Sequence, residues 1–529
     1  MLHTSNVPNQ GCAKSHEMIK RFYGLKYSRT GDRKLVYTDT LLSMAQIPTR
    51  VEVERHRAAM TRVELSRPAR LAIEAGIITP ETTIFDYGCG LGGDVKRLIQ
   101  AGYRCEGWDP YYFPDVAMRS ADVVNLSYII NVIEDPDERD QSLLQAWELT
   151  GKVLIVAAQI LVNELRGLFA YGDGILTKRN TFQKYYQQGE LKEYIDRVLT
   201  VEAIPLGLGI FLVFRDECQA ESFRAARFYA RMSTPRVRVE SKRFEDYQAQ
   251  LAPLMEFVSQ RGRLPIKGEL VQEAQLSQEF GSLKRAFQII LTATDEADWD
   301  AIAYQRSLDL QVYLALAQFG QGRSLKKLSV AMRSDIKAFF GSYEEACEVA
   351  DRLLFKIGEP GIIKQACQKS KIGKLLPTAL YVHISALTEL DPKLRLYEGC
   401  ASRNIGGTED ANILKFHIDK PCISYLYYPN FDTLAHPALQ WAMLIDLRDL
   451  SVKFRDYTEQ VNLPILHRKE TFLSPDHPLY AKFTKFTKSE VAAGLFHETK
   501  TIGNQQGWER RLAECRVEIK GHRVSKIKD

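Results

Sequence analysis

The sequence predicts an α/β fold with a mainly parallel sheet over residues 65–217, and two observations carry this prediction. Helical segments alternate there with short runs rich in β-branched and aromatic residues, the pattern of a parallel sheet flanked by helices. One of these runs ends in a glycine-rich turn, FDYGCGLGGD at 85–94, and a helical segment follows directly. A strand, a glycine turn and a helix in this order form the ligand-binding corner of Rossmann-like folds.

The elements of this region are predicted in order along the chain. Helical spacing and a Ser-Arg-Pro start predict a helix over 66–77. The predicted strands are TTIFDYG (82–88), RCEGWD (104–109), ADVVNLSY (121–128), KVLIVAA (152–158), RVLTVEAI (197–204) and GIFLVFRDE (209–217). The last two flank Pro205-Leu206-Gly207-Leu208, and we expect them to pair antiparallel and to close one edge of the sheet.

The remainder of the chain is expected to form further domains, because 529 residues exceed what one hydrophobic core usually spans. We expect an N-terminal arm at 1–64, a helical domain at 218–358 and an α+β region at 359–529. Within the helical domain, FGSLKRAFQII (280–290) is echoed by FGSYEEACEVA (340–350). The C-terminal region mixes strand-like runs with predicted helices such as HPALQWAMLIDLRDLS (436–451).

The composition is that of an ordinary soluble protein, with 45% hydrophobic and 26% charged residues. The chain has no run of 18 apolar residues and no secretory pattern at its start, so we expect a cytoplasmic protein without a membrane partner. Its nine cysteines never form CxxC, so we expect reduced thiols and no metal site. A net charge of +5 permits nucleic-acid binding without demonstrating it.

The glycine-rich turn is the sharpest chemical signal. Gly88, Gly90 and Gly92 let the backbone turn tightly and approach a ligand, and the following helix offers its unpaired amides. Dinucleotide-binding folds place a pyrophosphate at such a helix, where the carboxylate of Asp86 would be unfavourable. S-adenosylmethionine carries a cationic amino-acid end instead, so this pattern favours the methyl donor as cofactor. Together with the antiparallel edge, it indicates a Rossmann-like class I methyltransferase domain.

A second acidic residue, Asp109, ends the second predicted strand 23 residues after Asp86. A carboxylate at this spacing can accept hydrogen bonds from two ribose hydroxyls at once. The alternative is that Asp86 caps a turn and Asp109 is a surface charge at a strand end. Only twelve residues separate Asp109 from Asp122, too few for the usual helix, third strand and helix, so no residue is assigned to the adenine.

The third predicted strand ends in Asn125-Leu126-Ser127-Tyr128, where an acceptor is expected to bind. Its position matches the [DN]PPY motif of amino-methyltransferases, in which the amide accepts from the target amine and the aromatic ring stacks on a flipped base. Both prolines are missing. We therefore weigh catalytic roles for Asn125 and Tyr128 against the alternative that they end a strand and line the cofactor pocket.

The chain as a whole resembles the DNA phosphorothioation-associated methyltransferase family of bacteria. The resemblance rests on HRAAMTRVELSRPARL (56–71), FDYGCGLGGDVKRL (85–98), GWDPYYFPD (107–115), ADVVNLSYIINVIED (121–135), YGDGILTKRNTFQKYYQQGEL (171–191), ISYLYYP (423–429), HPAL (436–439) and PILHRKETFL (464–473). It implies a class I methyltransferase fold and a role in bacterial DNA modification or defence. DNA and the proteins of a phosphorothioation system are the partners that it implies.

Two basic segments are candidate nucleic-acid contacts. Lys178 and Arg179 lie among aromatic residues in the loop 171–186, which suits a flipped base or equally a core. Residues 251–287 are similar to the small helical repeats attached to homing endonucleases. This resemblance implies that five side chains face phosphates, and the alternative is a helical connector with solvated charges. The five are Arg261, Arg263, Lys267, Lys284 and Arg285.

These observations predict an enzyme that transfers a methyl group from S-adenosylmethionine to a nucleic acid. One alternative is a methyltransferase for RNA, protein or a small molecule, which the missing prolines keep open. Another is a non-catalytic module that recognises modified DNA and recruits partners.

Overall fold

The computed structural model describes residues 53–62, 64–160, 169–228, 234–235, 242–319, 322–407 and 411–527. Most of the predicted N-terminal arm lies outside these ranges. Up to residue 226 the helices are α1 (Arg67–Glu74), α2 (Gly93–Gln100), α3 (Pro136–Glu148), α4 (Gln188–Leu199) and α5 (Glu217–Ala226). The strands of this part are β1 (Thr83–Tyr87), β2 (Arg104–Trp108), β3 (Ala121–Ser127), β4 (Thr150–Ala157), β5 (Phe169–Tyr171), β6 (Gly174–Leu176), β7 (Phe182–Gln183), β8 (Ile204–Gly207) and β9 (Ile210–Phe214).

The first sheet has the strand order β2-β1-β3-β4-β9-β8. The pairs β1–β2, β1–β3 and β3–β4 are parallel, whereas β9 runs antiparallel to both β4 and β8. Successive residues of its central strands are buried on opposite faces, since Phe85 and Val124 join one hydrophobic cluster and Ile84 and Val123 the other. This is a Rossmann-like α/β sheet, and the predicted antiparallel edge is confirmed.

The boundaries at that edge differ from the prediction. The strand predicted over 197–204 is wrong at its start, because α4 continues to Leu199 and ends where Thr200 adopts a left-handed conformation with φ of 55°. β8 begins only at Ile204 and includes Pro205, Leu206 and Gly207, which were predicted to be the connection. Proline is tolerated there because β8 is an edge strand, so no further strand needs the amide that proline lacks.

The middle of the chain is helical, and its helices continue past residue 358. Its helices are α6 (Lys242–Arg261), α7 (Glu273–Phe280), α8 (Leu283–Ala293), α9 (Glu296–Ala317), α10 (Val330–Phe340), α11 (Tyr343–Ile357) and α12 (Ile362–Lys369). The Phe-Gly-Ser echo is a repeated structural unit. In each copy the glycine, Gly281 or Gly341, ends a helix with φ near +80°. The serine that follows it, Ser282 or Ser342, caps the start of the next helix.

The C-terminal region is built on an antiparallel sheet with the order β10-β11-β12-β13-β14-β15. These strands are β10 (Lys374–Leu376), β11 (Ala379–His383), β12 (Ile413–His417), β13 (Cys422–Tyr427), β14 (Trp441–Asp446) and β15 (Val452–Asp456). Helix α13 (Pro392–Ile405) joins β11 to β12, and α14 (Tyr480–Ala492), α15 (Gln505–Cys515), β16 (Val517–Lys520) and β17 (Arg523–Lys526) complete the fold.

The helix predicted over 436–451 is wrong, because its centre is the strand β14. Met443 and Ile445 alternate into the core, and both flanks of β14 are paired, to β13 and β15. The short apolar run of β14 is compatible with either a helix or a strand. Pairing with strands distant in the sequence determines that it forms a strand. Within the described residues, no helix is long and apolar enough to cross a membrane.

Candidate functional site

The glycine turn lies at the carboxyl end of the parallel strands, between β1 and α2. The φ angles of Gly88, Gly90 and Gly92 are +79°, +53° and +70°, a conformation that side chains with a Cβ rarely adopt. The amides of Gly88 and Cys89 donate to the carbonyl of Trp108 at 2.8 and 3.0 Å, which fixes the turn against the end of β2. The three predicted glycines therefore form one preorganised turn.

The buried carboxylate of Asp86 lies directly before this turn. Asn125 Nδ2 donates to Asp86 Oδ1 at 2.8 Å, and no other described group donates a hydrogen bond to this carboxylate. Burial, and then the charge of the buried Asp94, raise the pKa of Asp86 to about 7. A carboxylate in this setting is poorly compensated by the protein, so a cationic group of a ligand would stabilise it.

Asp109 fastens the turn to the end of β2. Its Oδ2 accepts from the amide of Gly90 at 3.0 Å, and its Oδ1 accepts from the amides of Tyr111 and Tyr112, each at 2.9 Å. One acceptor position remains on Oδ2, because each carboxylate oxygen has two lone pairs. The structure thus shows Asp109 positioning the turn, and its grip on a ribose stays a prediction.

The two predicted catalytic residues lie at the end of β3, beside Asp86. Asn125 is buried. Its Oδ1 accepts a hydrogen bond from Ser127 Oγ at 2.5 Å, and its Nδ2 donates to Asp86. Tyr128 is left-handed, with φ of 64°, and the guanidinium of Arg62 lies 5.4 Å from its ring centre. The geometry shows Asn125 holding Asp86, and the acceptor-binding roles of Asn125 and Tyr128 stay predictions.

A segment that the sequence prediction missed crosses this edge of the sheet: residues 53–62, here named the strap. The Cβ of its Ala59 lies 3.3 Å from the position that a Cβ on Gly90 would take. His56 stacks on Tyr111 with 4.2 Å between ring centres, and its carbonyl accepts from Tyr112 Oη at 3.0 Å. The strap therefore packs against the glycine turn and against the loop after β2.

Arg55 anchors the strap to the region around α3. Its Nε donates to Glu134 at 2.7 Å, and its guanidinium also pairs with Glu138. The contacts that give the strap its position join residues roughly 80 positions apart, so they leave no local pattern.

Lys178 and Arg179 are exposed in the connection between β6 and β7. The neighbouring Asn180 accepts a hydrogen bond from the amide of Glu54 at 2.9 Å, so this basic loop adjoins the strap. The structure thus brings Lys178 and Arg179 to the side of the sheet where the glycine turn lies. Their contact with nucleic acid stays a prediction.

The five basic residues of the helical region do not share one surface. Arg263 is buried, and its guanidinium pairs with Asp335 at 2.7 Å and with Glu269 at 2.6 Å. Arg261 pairs with the same Asp335 at 2.9 Å. The expectation that Arg263 faces a phosphate is corrected, because two carboxylates neutralise it away from solvent, and Arg261 has the same buried partner. Lys267, Lys284 and Arg285 are exposed.

Comparison with known protein families and with curated proteins gave no match. Among solved structures, the chain is similar to a 1,6-didemethyltoxoflavin-N1-methyltransferase from Burkholderia thailandensis with bound S-adenosylhomocysteine, at 11% identity and a TM-score of 0.22, over 40% of this chain and 92% of that one. It is also similar to the magnesium protoporphyrin IX methyltransferase from Synechocystis PCC 6803 with bound S-adenosylmethionine, at 13% identity and a TM-score of 0.20, over 39% and 92%. A third is an amino pentose methyltransferase from Micromonospora echinaspora, at 12% identity and a TM-score of 0.21, over 35% and 100%. At these TM-scores the Rossmann-like assignment rests on strand order and the glycine turn.

Proposed function

We propose that residues 65–217 form a class I methyltransferase domain that binds S-adenosylmethionine and transfers its methyl group to a nucleic acid. The observation that carries the proposal is the buried carboxylate of Asp86 at the start of the glycine turn, which Asn125 holds and which forms no ion pair among the described residues. An ammonium group would offset its charge, whereas a pyrophosphate would be repelled by Asp86 and by Asp94 in the first turn of α2.

The residues present fit this cofactor in three ways. Asp86 matches a cationic amino-acid end, the glycine turn allows close approach, and Asp109 keeps one acceptor position for a hydroxyl group. Bound S-adenosylmethionine supplies a methyl group on a sulfonium leaving group, so displacement needs positioning more than a strong base. In this proposal the protein's task is to orient cofactor and acceptor, with Asn125 and Tyr128 nearest to the acceptor.

The choice of a nucleic acid as acceptor is supported by exposed basic residues. Lys178 and Arg179 lie beside the strap, and Lys267, Lys284 and Arg285 project from the helical region. Side chains of this kind bind phosphates and orient a duplex without specifying its sequence. The resemblance to the phosphorothioation-associated family favours DNA, with proteins of such a system as partners.

Calorimetric titration of S-adenosylmethionine tests the cofactor site. We expect Asp86→Asn to weaken binding about tenfold or more, because a charge-assisted contact to the ammonium is lost. Asp115→Asn is the matched control, since it removes a nearby exposed carboxylate and is expected to leave affinity within about twofold. Failure of the unaltered protein to bind at millimolar cofactor would overturn the proposal.

The acceptor is tested separately, by following labelled methyl groups into duplex DNA, transfer RNA and protein fractions. Label in DNA alone, lost in the double variant Asn125→Ala/Tyr128→Ala, is the expected result. Label in RNA or protein would show that the acceptor is not DNA, but it would leave the proposed S-adenosylmethionine site unchanged. DNA binding that survives Asp86→Asn, with label in no fraction, would favour a non-catalytic recruiter.

A further inference from the structure

The strap ends at Arg62, whose backbone is fixed against the start of α2. The Cβ of Arg62 lies 3.8 Å from the position that a Cβ on Gly93, the first residue of α2, would take. The carbonyl of Arg62 accepts a hydrogen bond from the guanidinium of Arg97, one turn further along α2. The strap is therefore attached at both ends, by Arg55 beside α3 and by the backbone of Arg62 beside α2.

The half-buried side chain of Arg62 is not matched by a carboxylate. Within the described residues its guanidinium forms no ion pair and no hydrogen bond, and it lies 5.4 Å from the ring centre of Tyr128. The two other arginines of the strap, Arg55 and Arg57, are each paired with a glutamate. A guanidinium held in place without an anion can form charge-assisted hydrogen bonds to an anionic group of a ligand.

Arg62 and Asp86 lie near each other without forming an ion pair. Asn125 donates to Asp86 at 2.8 Å, and Tyr128, three residues after Asn125, has the guanidinium of Arg62 beside its ring. Burial is the main influence on the pKa of Asp86 and raises it, whereas the charge of Arg62 lowers it. The end of β3 therefore separates an anion on one side from a cation on the other.

An anion and a cation placed in this way match the amino-acid end of a ligand. Its ammonium and carboxylate groups leave the same carbon atom, so each can meet the protein charge of opposite sign. Such an end carries no net charge, so Asp94 and Asp109, whose charges also act on Asp86, do not repel it as they would a pyrophosphate. Both carboxylates already accept from backbone amides, Asp94 from Ser66 at 2.8 Å and Asp109 from Gly90 at 3.0 Å.

We propose that Arg62 binds the carboxylate of the amino-acid end of S-adenosylmethionine while Asp86 binds its ammonium group. This inference rests on the proposed function and adds to it the residue that recognises the carboxylate. Arg62 is then a cofactor-binding residue that the strap contributes. The bound cofactor would join the strap to the end of β1, and the site would prefer ligands with a complete amino-acid end.

Titration calorimetry with S-adenosylmethionine and its decarboxylated analogue tests this proposal on the full chain. The analogue keeps the ammonium and sulfonium groups and lacks only the carboxylate. We expect the unaltered protein to bind the analogue at least about tenfold more weakly than S-adenosylmethionine. Arg62→Gln should weaken S-adenosylmethionine binding by a similar factor and leave the affinity for the analogue within about twofold. Asp86→Asn should weaken the binding of both ligands.

Two further variants serve as controls. Arg57→Gln removes a neighbouring strap arginine that pairs with Glu54, and both affinities should stay within about twofold of those of the unaltered protein. Arg62→Lys keeps a positive charge and should retain part of the preference for the carboxylate. The affinity of Arg62→Gln for the analogue also reports on folding, because a misfolded site would lose both ligands.

The outcomes distinguish this inference from the proposed function. If Arg62→Gln weakens the binding of both ligands by the same factor, Arg62 only holds the strap in place and the inference is wrong. A preference for the carboxylate that survives in Arg62→Gln, or that is absent from the unaltered protein, would also overturn it while the S-adenosylmethionine site remains. If the unaltered chain binds neither ligand at millimolar concentration, the proposed function fails, and this inference fails with it.

Discussion

Gly88 is the residue at which the glycine turn tolerates least change. A Cβ built there would lie 2.4 Å from Cδ1 and 2.7 Å from Cγ1 of Ile129, and the φ of Gly88 is +79°. We expect Gly88→Ala to lower the free energy of unfolding by about 2–3 kcal/mol, because strain in φ and a steric clash add. Urea denaturation measures this loss, and titration should show a parallel loss of affinity for S-adenosylmethionine.

Gly102→Ala separates the two causes. Gly102 has φ of +89°, but nothing lies within 4 Å of a Cβ built there. Its substitution should cost only the backbone strain, about 1 kcal/mol, with no change in cofactor affinity. Equal losses in the two variants would mean that Ile129 moves aside without cost.

Asp86 predicts a specific pH dependence of stability. Its folded pKa is about 7 and its ordinary value 3.8, so between these values the folded chain keeps a proton that the unfolded chain has lost. The contribution of Asp86 to stability therefore falls as pH rises through this window, by up to about 1.4 kcal/mol per pH unit. Urea unfolding from pH 5 to 7 should show this slope in the unaltered protein relative to Asp86→Asn. Parallel curves would contradict it.

At the scale of secondary structure elements, local pattern decided what could be predicted. The strands around Asp86 and Asn125 were found because each is a short buried run bounded by turn residues. The strand β14 was missed because its apolar run also fits a helix, and only pairing with β13 and β15 distinguishes the two. The burial of Arg263 was equally invisible, since its partner Asp335 lies 72 residues away.

The strap is the element whose function is most directly testable. Arg55 anchors it to Glu134 and Glu138, so Arg55→Ala should free this segment from α3. These ion pairs are partly exposed, so we expect their removal to cost about 1 kcal/mol. If the strap retains the cofactor, this cost corresponds to roughly fivefold faster dissociation of S-adenosylmethionine, which stopped-flow measurements detect. Arg57→Ala is the control, because among the described residues Arg57 pairs only with Glu54, three residues earlier in the strap itself. Equal rates in both variants would show that the strap does not retain the cofactor.

The exposed basic residues of the helical region predict how the affinity for duplex DNA depends on salt. Lys267, Lys284 and Arg285 are exposed, and each neutralised phosphate contributes about 0.9 to the slope of log affinity against log salt. The triple alanine variant should therefore reduce that slope by about 2.7 for duplex DNA. A triple alanine variant of Lys364, Arg448 and Lys520 removes equal charge from exposed sites elsewhere. If it reduces the slope equally, net charge and not this surface governs binding.

At the scale of the whole molecule, buried polar contacts tie the three described regions together. Arg395 on α13 donates to Asp309 on α9 at 2.7 Å, and Gln188 on α4 donates to the carbonyl of Asn404 at 3.0 Å. The amide of Gly407 donates to the carbonyl of Leu206 on β8 at 2.9 Å. Because these contacts join distant parts of the chain, the predicted division at 217 and 358 does not imply independent folding.

Acid is expected to open the C-terminal region before the first sheet. Burial lowers the pKa of His436 to about 4 and that of His467 to about 3, and both rings pack on Trp508 with centres 4.6 and 4.5 Å away. Between pH 6.5 and about 4 these histidines are protonated in the unfolded chain but remain neutral in the folded chain. Their contribution to stability is therefore lost as pH falls toward 4. Glu490, with its pKa raised to about 8, opposes one of the two, because its folded form keeps a proton.

His417 and His522, whose pKa values burial also lowers to about 4, act in the same direction as His436 and His467, so the lowered histidines outnumber Glu490 and the region loses stability as pH falls from 6.5 to 4.5. Asp86, in contrast, stabilises the first sheet as pH falls. Hydrogen exchange at pH 5 and pH 7, corrected for intrinsic rates, should show protection lost over 411–527 and retained over 83–157. His467→Gln keeps a donor for the carbonyl of Ile502, 2.7 Å from Nε2, and should reduce this difference. The exposed His497→Gln should leave it unchanged. Uniform loss of protection across the chain would mean that the buried contacts between regions outweigh the histidines.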